Sequence, residues 1–198
     1  AVIKDSFEKL ELIGGADCGY DRDNNVVASI VVCDYETMEV KESSSAFLKA
    51  RMPYISGFLS YREAPAILEA YSKLQTKPDI ILVDGNGILH PRRCGIATHL
   101  GVLLDIAAIG VAKTLLIGEM KDNEVYADGE ILAELIVSRE YARPLFISPG
   151  NKVSLKTSIE VVKNCLRFPH KLPEPLHLAH RFASKIAKKN LKGELKIE

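Results

Sequence analysis

The sequence predicts an α/β fold built on one mixed sheet, three antiparallel strands followed by parallel strands, with helices on both faces. Three observations carry this. Residues Leu12 to about Lys49 read as strand, broken only by turn residues, and from about Tyr61 helical spacing alternates with short apolar runs. A strand-only opening followed by alternating helices and strands describes a sheet covered on both sides. The run Ile80-Ile81-Leu82-Val83 offers no solvent face at all, which places its strand in the interior of that sheet.

The elements follow in chain order. LIGGADCGY from Leu12 and VVASIVVCDY from Val26 are separated by an Asp-Asn-Asn turn, and a Ser-rich segment ending Ala46-Phe47-Leu48 supplies the third strand. Ala64, Ile67, Leu68, Tyr71 and Leu74 recur at helical spacing, so a helix starting near Glu63 runs to about Gln75, and Lys77-Pro78 leads into the buried strand. Ile96, Ala97, Leu100, Leu103, Leu104 and Ala107 mark a second helix, followed by a strand from Ala112 to Gly118. A hairpin at Asp128-Gly129 precedes the short strand Pro144 to Ser148. Leu155, Ile159, Val162 and Leu166 outline a third helix, and Leu176, Ala179, Ala183 and Ile186 a fourth. No repeat or linker interrupts the chain, and residues 1–198 are expected to form one domain.

Composition excludes several classes. With 198 residues and 47% apolar content the chain can bury a core, so disorder is excluded. Lys plus Arg and Asp plus Glu both total 26, so an anionic partner must be recognised by local charge placement. Cys18, Cys33, Cys94 and Cys165 are widely spaced without a CxxC pair, as expected for reduced thiols in a cytoplasmic protein. No apolar run reaches the roughly 20 residues of a membrane helix.

The chemistry concentrates around PDIILVDGNGILHPRR, Pro78 to Arg93. Asp84 emerges at the C-terminal edge of a buried strand, where open α/β sheets place ligands, although an Asp-Gly turn alone accounts for the pair. Gly85 and Gly87 allow close backbone approach, and His90, Arg92 and Arg93 can donate to an anion. Asp17, in an otherwise apolar strand, must be paired, bind a metal, or point to solvent beside Gly14, Gly15 and Gly19. Glu63 either closes a capping box begun by Ser60 or, with the helix starting later because of Pro65, faces the sheet edge. The three carboxylates together are hard oxygen ligands suited to Mg²⁺ or Mn²⁺. Lys113 is expected at the start of a buried strand, and Arg181, Lys185 and Lys188 form a stripe on the last helix, a solvated face or a phosphate contact.

Several long strings occur in one order: PYISGFLSYREAP (Pro53 to Pro65), DGNGILHPRRCGIATHLG (Asp84 to Gly101), GVAK (Gly110 to Lys113), PLFISPGNKVS (Pro144 to Ser154) and LPEP (Leu172 to Pro175). In these strings the chain resembles endonuclease V, from Gly15 to about Arg181. The resemblance implies a ribonuclease H-like fold and a Mg²⁺-dependent endonuclease that recognises deoxyinosine, cuts the second phosphodiester bond on its 3′ side, and in some members acts on inosine in RNA. It further implies that Asp17, Glu63 and Asp84 bind metal and that His90 and Lys113 lie near the scissile phosphate. Tyr54 would be a wedge filling the gap left by the extruded base, and Gly57, Leu59, Gly85 and Gly87 a backbone-lined hypoxanthine pocket. Lys152 is expected to hold a phosphate. Two positions depart from the family pattern: Ser56 stands where the wedge usually reads proline, and Asn151 where the SPGH-type segment carries histidine. The partner is therefore inosine-containing DNA, with inosine-containing RNA second, bound by a monomer without membrane association. The competing expectations are a ribonuclease H-like nuclease indifferent to inosine, or a non-catalytic nucleic-acid-binding domain.

Overall fold

A computed structural model describes residues 1–190. One nine-stranded sheet is its frame, in the order β3-β2-β1-β4-β5-β9-β8-β7-β6. β1 (Leu12–Tyr20), β2 (Val26–Asp34) and β3 (Val40–Leu48) form the antiparallel opening; β4 (Ile80–Asp84) and β5 (Ala107–Ala112) then run parallel to β1. β6 (Glu119–Lys121), β7 (Glu124–Ala127) and β8 (Glu130–Ile136) make a meander that joins through β9 (Leu145–Asn151). β9 pairs antiparallel with β5, so parallel pairing is confined to β1, β4 and β5.

The two faces of β4 explain its four apolar residues. Ile80 and Leu82 pack with Ile109, Val111 and the helices α3 (Leu155–Asn164) and α4 (Glu174–Asn190); Ile81 and Val83 pack with α1 (Leu59–Lys73) and α2 (Ile96–Leu103). All four apolar β4 side chains are fully buried, each contributing about 1.5–3 kcal/mol from leaving water. The expected mixed sheet with helices on both sides is therefore what the chain adopts. Cys18, Cys33, Cys94 and Cys165 are all free thiols. No helix among the described residues is long and apolar enough to cross a membrane.

Three boundaries differ from expectation, each for a local reason. α1 begins at Leu59, before Glu63, and accommodates Pro65 in its interior at the loss of one helical hydrogen bond. α2 ends at Leu103 because Asp105 adopts a left-handed conformation (φ +54°) and Ile106 N–H closes onto Gly101 O at 3.1 Å. The apolar run after it is therefore β5, ending at Ala112 where the sequence suggests a strand begins. Lys113 consequently sits just past the C-terminal end of a central strand, beside the end of β4.

Candidate active site

Asp17 and Asp84 come together through strand register. β1 and β4 are paired as far as Ala16 and Val83, and the next residue on each is an aspartate. Alternation puts Asp17 on the same face as Ile13 and Asp84 on the same face as Leu82, the side covered by α4. That helix can approach because β1 carries glycines: a Cβ on Gly15 would lie 2.2 Å from the Pro175 backbone, and one on Gly19 3.3 Å from Ala183 O. His180 of α4 is thereby seated on Asp17, with Nδ1 2.6 Å from Oδ2. Ligand atoms of Asp17, Asp84 and His180 all lie within 4.8 Å of one another.

Glu63 completes the acidic side of the pocket from α1, where the Tyr20 hydroxyl donates to its Oε1. The two carboxylates are strongly perturbed. Burial first, then the neighbouring Asp84 charge, pushes Asp17 up to about 6, against the pull of Lys113 and His180. Burial, with the charges of Asp17 and Asp84, pushes Glu63 up to about 7, although Tyr20 and Arg62 oppose it. Lys113 Nζ donates to Asp84 Oδ2, so a single lysine faces three acidic groups. A surplus of negative charge held by two register-matched aspartates and an imidazole suits a divalent cation with oxygen and nitrogen ligands.

The same pocket, about 310 Å³, is walled by Tyr54, Gly57, Leu59, Gly85 and His90 as well as by the carboxylates and Lys113. Tyr54 is 67% exposed, its ring free to stack on a partner. Gly57 has φ +76°, a turn that favours glycine. His90 is buried with both ring nitrogens engaged: Nε2 donates to Gly57 O at 3.1 Å, and Nδ1 accepts from Arg92 N–H at 3.2 Å. Burial and the Arg92 charge hold it below the usual histidine value, in keeping with a neutral ring. The Arg92 guanidinium also donates to Gly57 O and lies 4.2 Å from the Phe58 ring centroid.

The endonuclease V family model matches residues 1–181. The chain belongs to the endonuclease V family. An endonuclease V of Dictyoglomus thermophilum is 41% identical over 203 residues, covering 98% of this chain and 88% of that protein. The catalytic domain of human endonuclease V superposes with a TM-score of 0.87 at 31% identity, covering 98% of this chain and 92% of that one. Ciona intestinalis endonuclease V, solved with a 23mer DNA containing an inosine followed by a ribo-adenosine, gives 0.84 at 31% identity over 96% and 92% of the two chains. The chain is thus a nuclease, and a metal-dependent one by family.

Most of the expected residues line this one pocket, but two, Gly87 and Lys152, lie outside it. Gly87 is buried behind the pocket wall: its N–H donates to Ser148 Oγ at 2.8 Å, and a Cβ there would lie 2.2 Å from Pro149 O. Its glycine serves strand packing, with no N–H left for a base. Lys152 lies at the opposite edge of the sheet, where its Nζ holds Asp105 O and Oδ1, both at 2.8 Å. The adjacent Asn151 pairs with Ala108 near the start of β5, whereas Asp84 pairs with Val111 near its end. Asn151 itself is buried: Nδ2 donates to Gly101 O (2.9 Å) and Ile106 O (3.1 Å), and Oδ1 accepts from Val2 N–H (3.0 Å). Gly85 does line the pocket, yet its N–H donates to Val111 O at 3.2 Å.

His180 is the residue that sequence reading missed. The apolar stripe of α4 passes through Ala179 and Ala183, so His180 falls at its margin, the position from which a side chain can lean over the sheet. That marginal placement was the available signal; the partner, 163 residues earlier, was not visible.

Proposed function

We propose that this endonuclease V is a Mg²⁺-dependent DNA-repair enzyme, with Mn²⁺ able to substitute, that hydrolyses the second phosphodiester bond 3′ to deoxyinosine and leaves a 3′-hydroxyl and a 5′-phosphate. It acts as a monomer in the cytoplasm. The observation that supports the reading is the convergence of Asp17, Asp84 and His180 within 4.8 Å at the rim of a pocket headed by an exposed tyrosine. The inosine-containing DNA bound by the Ciona relative supports the substrate.

Asp17, Asp84 and His180 would hold the cation, with Glu63 on the facing helix. When bound, such an ion lowers the pKa of water and neutralises charge on an attacked phosphate. The chain's own residues do the rest. Lys113 fixes the Asp84 carboxylate and brings positive charge to the phosphate side of the pocket. Tyr54 stacks into the duplex where the flipped nucleotide has left, and flipping is cheapest at weakly paired bases such as inosine. Gly57 and Leu59 border the extruded base, and His90 with Arg92 braces the Gly57 turn. No side chain caps the start of α1, so the N–H groups of Leu59 and Ser60 are the donors that meet the O6 acceptor of hypoxanthine. Adenine presents an amino donor at that position, and donor facing donor is rejected.

The test is cleavage of end-labelled duplexes carrying deoxyinosine or adenine at one position, with inosine-containing RNA alongside, in Mg²⁺ and in chelator. Cleavage immediately 3′ of the lesion's 3′ neighbour, abolished by chelator and absent for adenine, is expected. Equal cutting of adenine duplexes, or cutting in chelator, would overturn the reading.

A further inference from the structure

Beyond the carboxylates, α4 carries a run of cations with no acidic residue after Glu174: Arg181, Lys185, Lys188 and Lys189. All four are exposed and line one open groove of about 610 Å³ that starts at His180. None makes an ion pair or hydrogen bond among the described residues. Several other surface cations are instead neutralised by acidic neighbours. Lys73 is paired with Glu69 on α1, Arg93 with Asp128 and Glu130, and Lys152 with Asp105.

A merely solvated helix face mixes signs and gains from pairs one turn apart. The helix dipole explains cations in the last turn, Lys188 and Lys189, but not Arg181 and Lys185 in the middle of the helix. In a chain whose charges sum to zero, four like charges gathered on one groove are a local device for a polyanion. Their spacing fits. From Arg181 to Lys189 the helix rises about 12 Å, and one duplex strand carries a phosphate about every 3.4 Å along the axis, so the tract spans three to four phosphates.

The direction follows from the layout of the site. Tyr54, Gly57 and Leu59 approach the carboxylates from the α1 side of the sheet, whereas the groove leaves His180 on the α4 side. We propose that Arg181, Lys185, Lys188 and Lys189 form a phosphate track for the DNA strand on the 3′ side of the cut, leading away from the lesion. This rests on the deoxyinosine reading above and adds the path and footprint of the cleaved strand.

The experiment compares wild type, K185A/K188A and, as a surface control on α3, K163A. Substrates are deoxyinosine duplexes of full length, with the 3′ flank trimmed to a few nucleotides past the cut, or with the 5′ flank trimmed equally. The double variant should raise KM about tenfold on the full and 5′-trimmed duplexes while kcat holds. Its slope of log KM against log salt should fall by about 2, one for each phosphate contact removed. On the 3′-trimmed duplex it should match wild type, and K163A should match it throughout. An unchanged KM and salt slope in the double variant, or a defect that follows the 5′ flank, would overturn the track. Failure of wild type to cut any deoxyinosine duplex would instead strike the function proposed above.

Discussion

His180 Nδ1 lies 2.6 Å from Asp17 Oδ2, which joins residues 163 positions apart and closes the candidate metal site from above the sheet. An imidazole whose Nδ1 is held by a carboxylate has a fixed ring orientation, and such support governs how well a ligand binds its ion. His180→Ala should therefore weaken metal binding about 10–100-fold. The check is the Mg²⁺ concentration giving half-maximal cleavage; an unaltered midpoint would remove His180 from the site.

Asp84 is fixed by Lys113 and stands in register with Asp17. Asp84→Asn keeps the shape but removes the charge that a cation requires. Cleavage of deoxyinosine DNA should fall by at least about a thousandfold, while DNA binding in a gel-shift assay persists. Undiminished turnover would refute the assignment.

Tyr54 is exposed and touches the pocket only from its rim. Tyr54→Ala should cut duplex cleavage by about 5- to 150-fold, the value of one lost stacking contact of ~1–3 kcal/mol. Single-strand cleavage should suffer less, because no vacated stack needs filling. Equal losses on both substrates would exclude the wedge role.

The raised carboxylates make a pH prediction of definite sign. Asp17 titrates at about 6 and Glu63 at about 7 in the folded chain, against 3.8 and 4.5 as ordinary values. Between about pH 4 and 7 the folded, metal-free protein holds protons that the unfolded chain has released, so its stability is full at the acid end and falls as pH rises. Thermal melts in chelator should show Tm dropping by several degrees across that window, at about 2–4 °C per kcal/mol. Mg²⁺ should reverse the drop most strongly above pH 7, where both groups are ionised. A Tm that rises with pH in chelator would contradict the cluster's electrostatics.

Asn151 holds Gly101, Ile106 and Val2 together, far from the carboxylates. Asn151→Ala leaves those groups without their partner, a cost of about 1–3 kcal/mol. Tm should fall by several degrees with the cleavage rate at 25 °C within about twofold of wild type, and Lys152→Ala should leave that rate unchanged. A large loss of rate in either variant, at temperatures where it remains folded, would return this segment to the active site.

The α/β class, the buried character of β4 and the sheet-edge position of Asp84 were legible because hydrophobic periodicity is a local property of the chain. Element ends were less so. The apolar run around Asp105 reads equally as helix or strand, and only a left-handed residue at that point divides α2 from β5. Pro65 misled about the start of α1, since packing of the helix outweighs one missing hydrogen bond.

By itself the sequence determined which residues carry charge or chemistry and which family pattern they follow, because identity and order need no third dimension. Only the tertiary structure decided which of them meet. The register of β1 against β4 aligned Asp17 with Asp84, glycines on β1 let α4 deliver His180, and the length of β5 carried Asn151 and Lys152 to the far edge. Two glycines in one short string, Gly85 and Gly87, ended in different roles for the same reason: a step of two residues along a chain changes the neighbours, and neighbours from distant strands fix what each N–H can still bind.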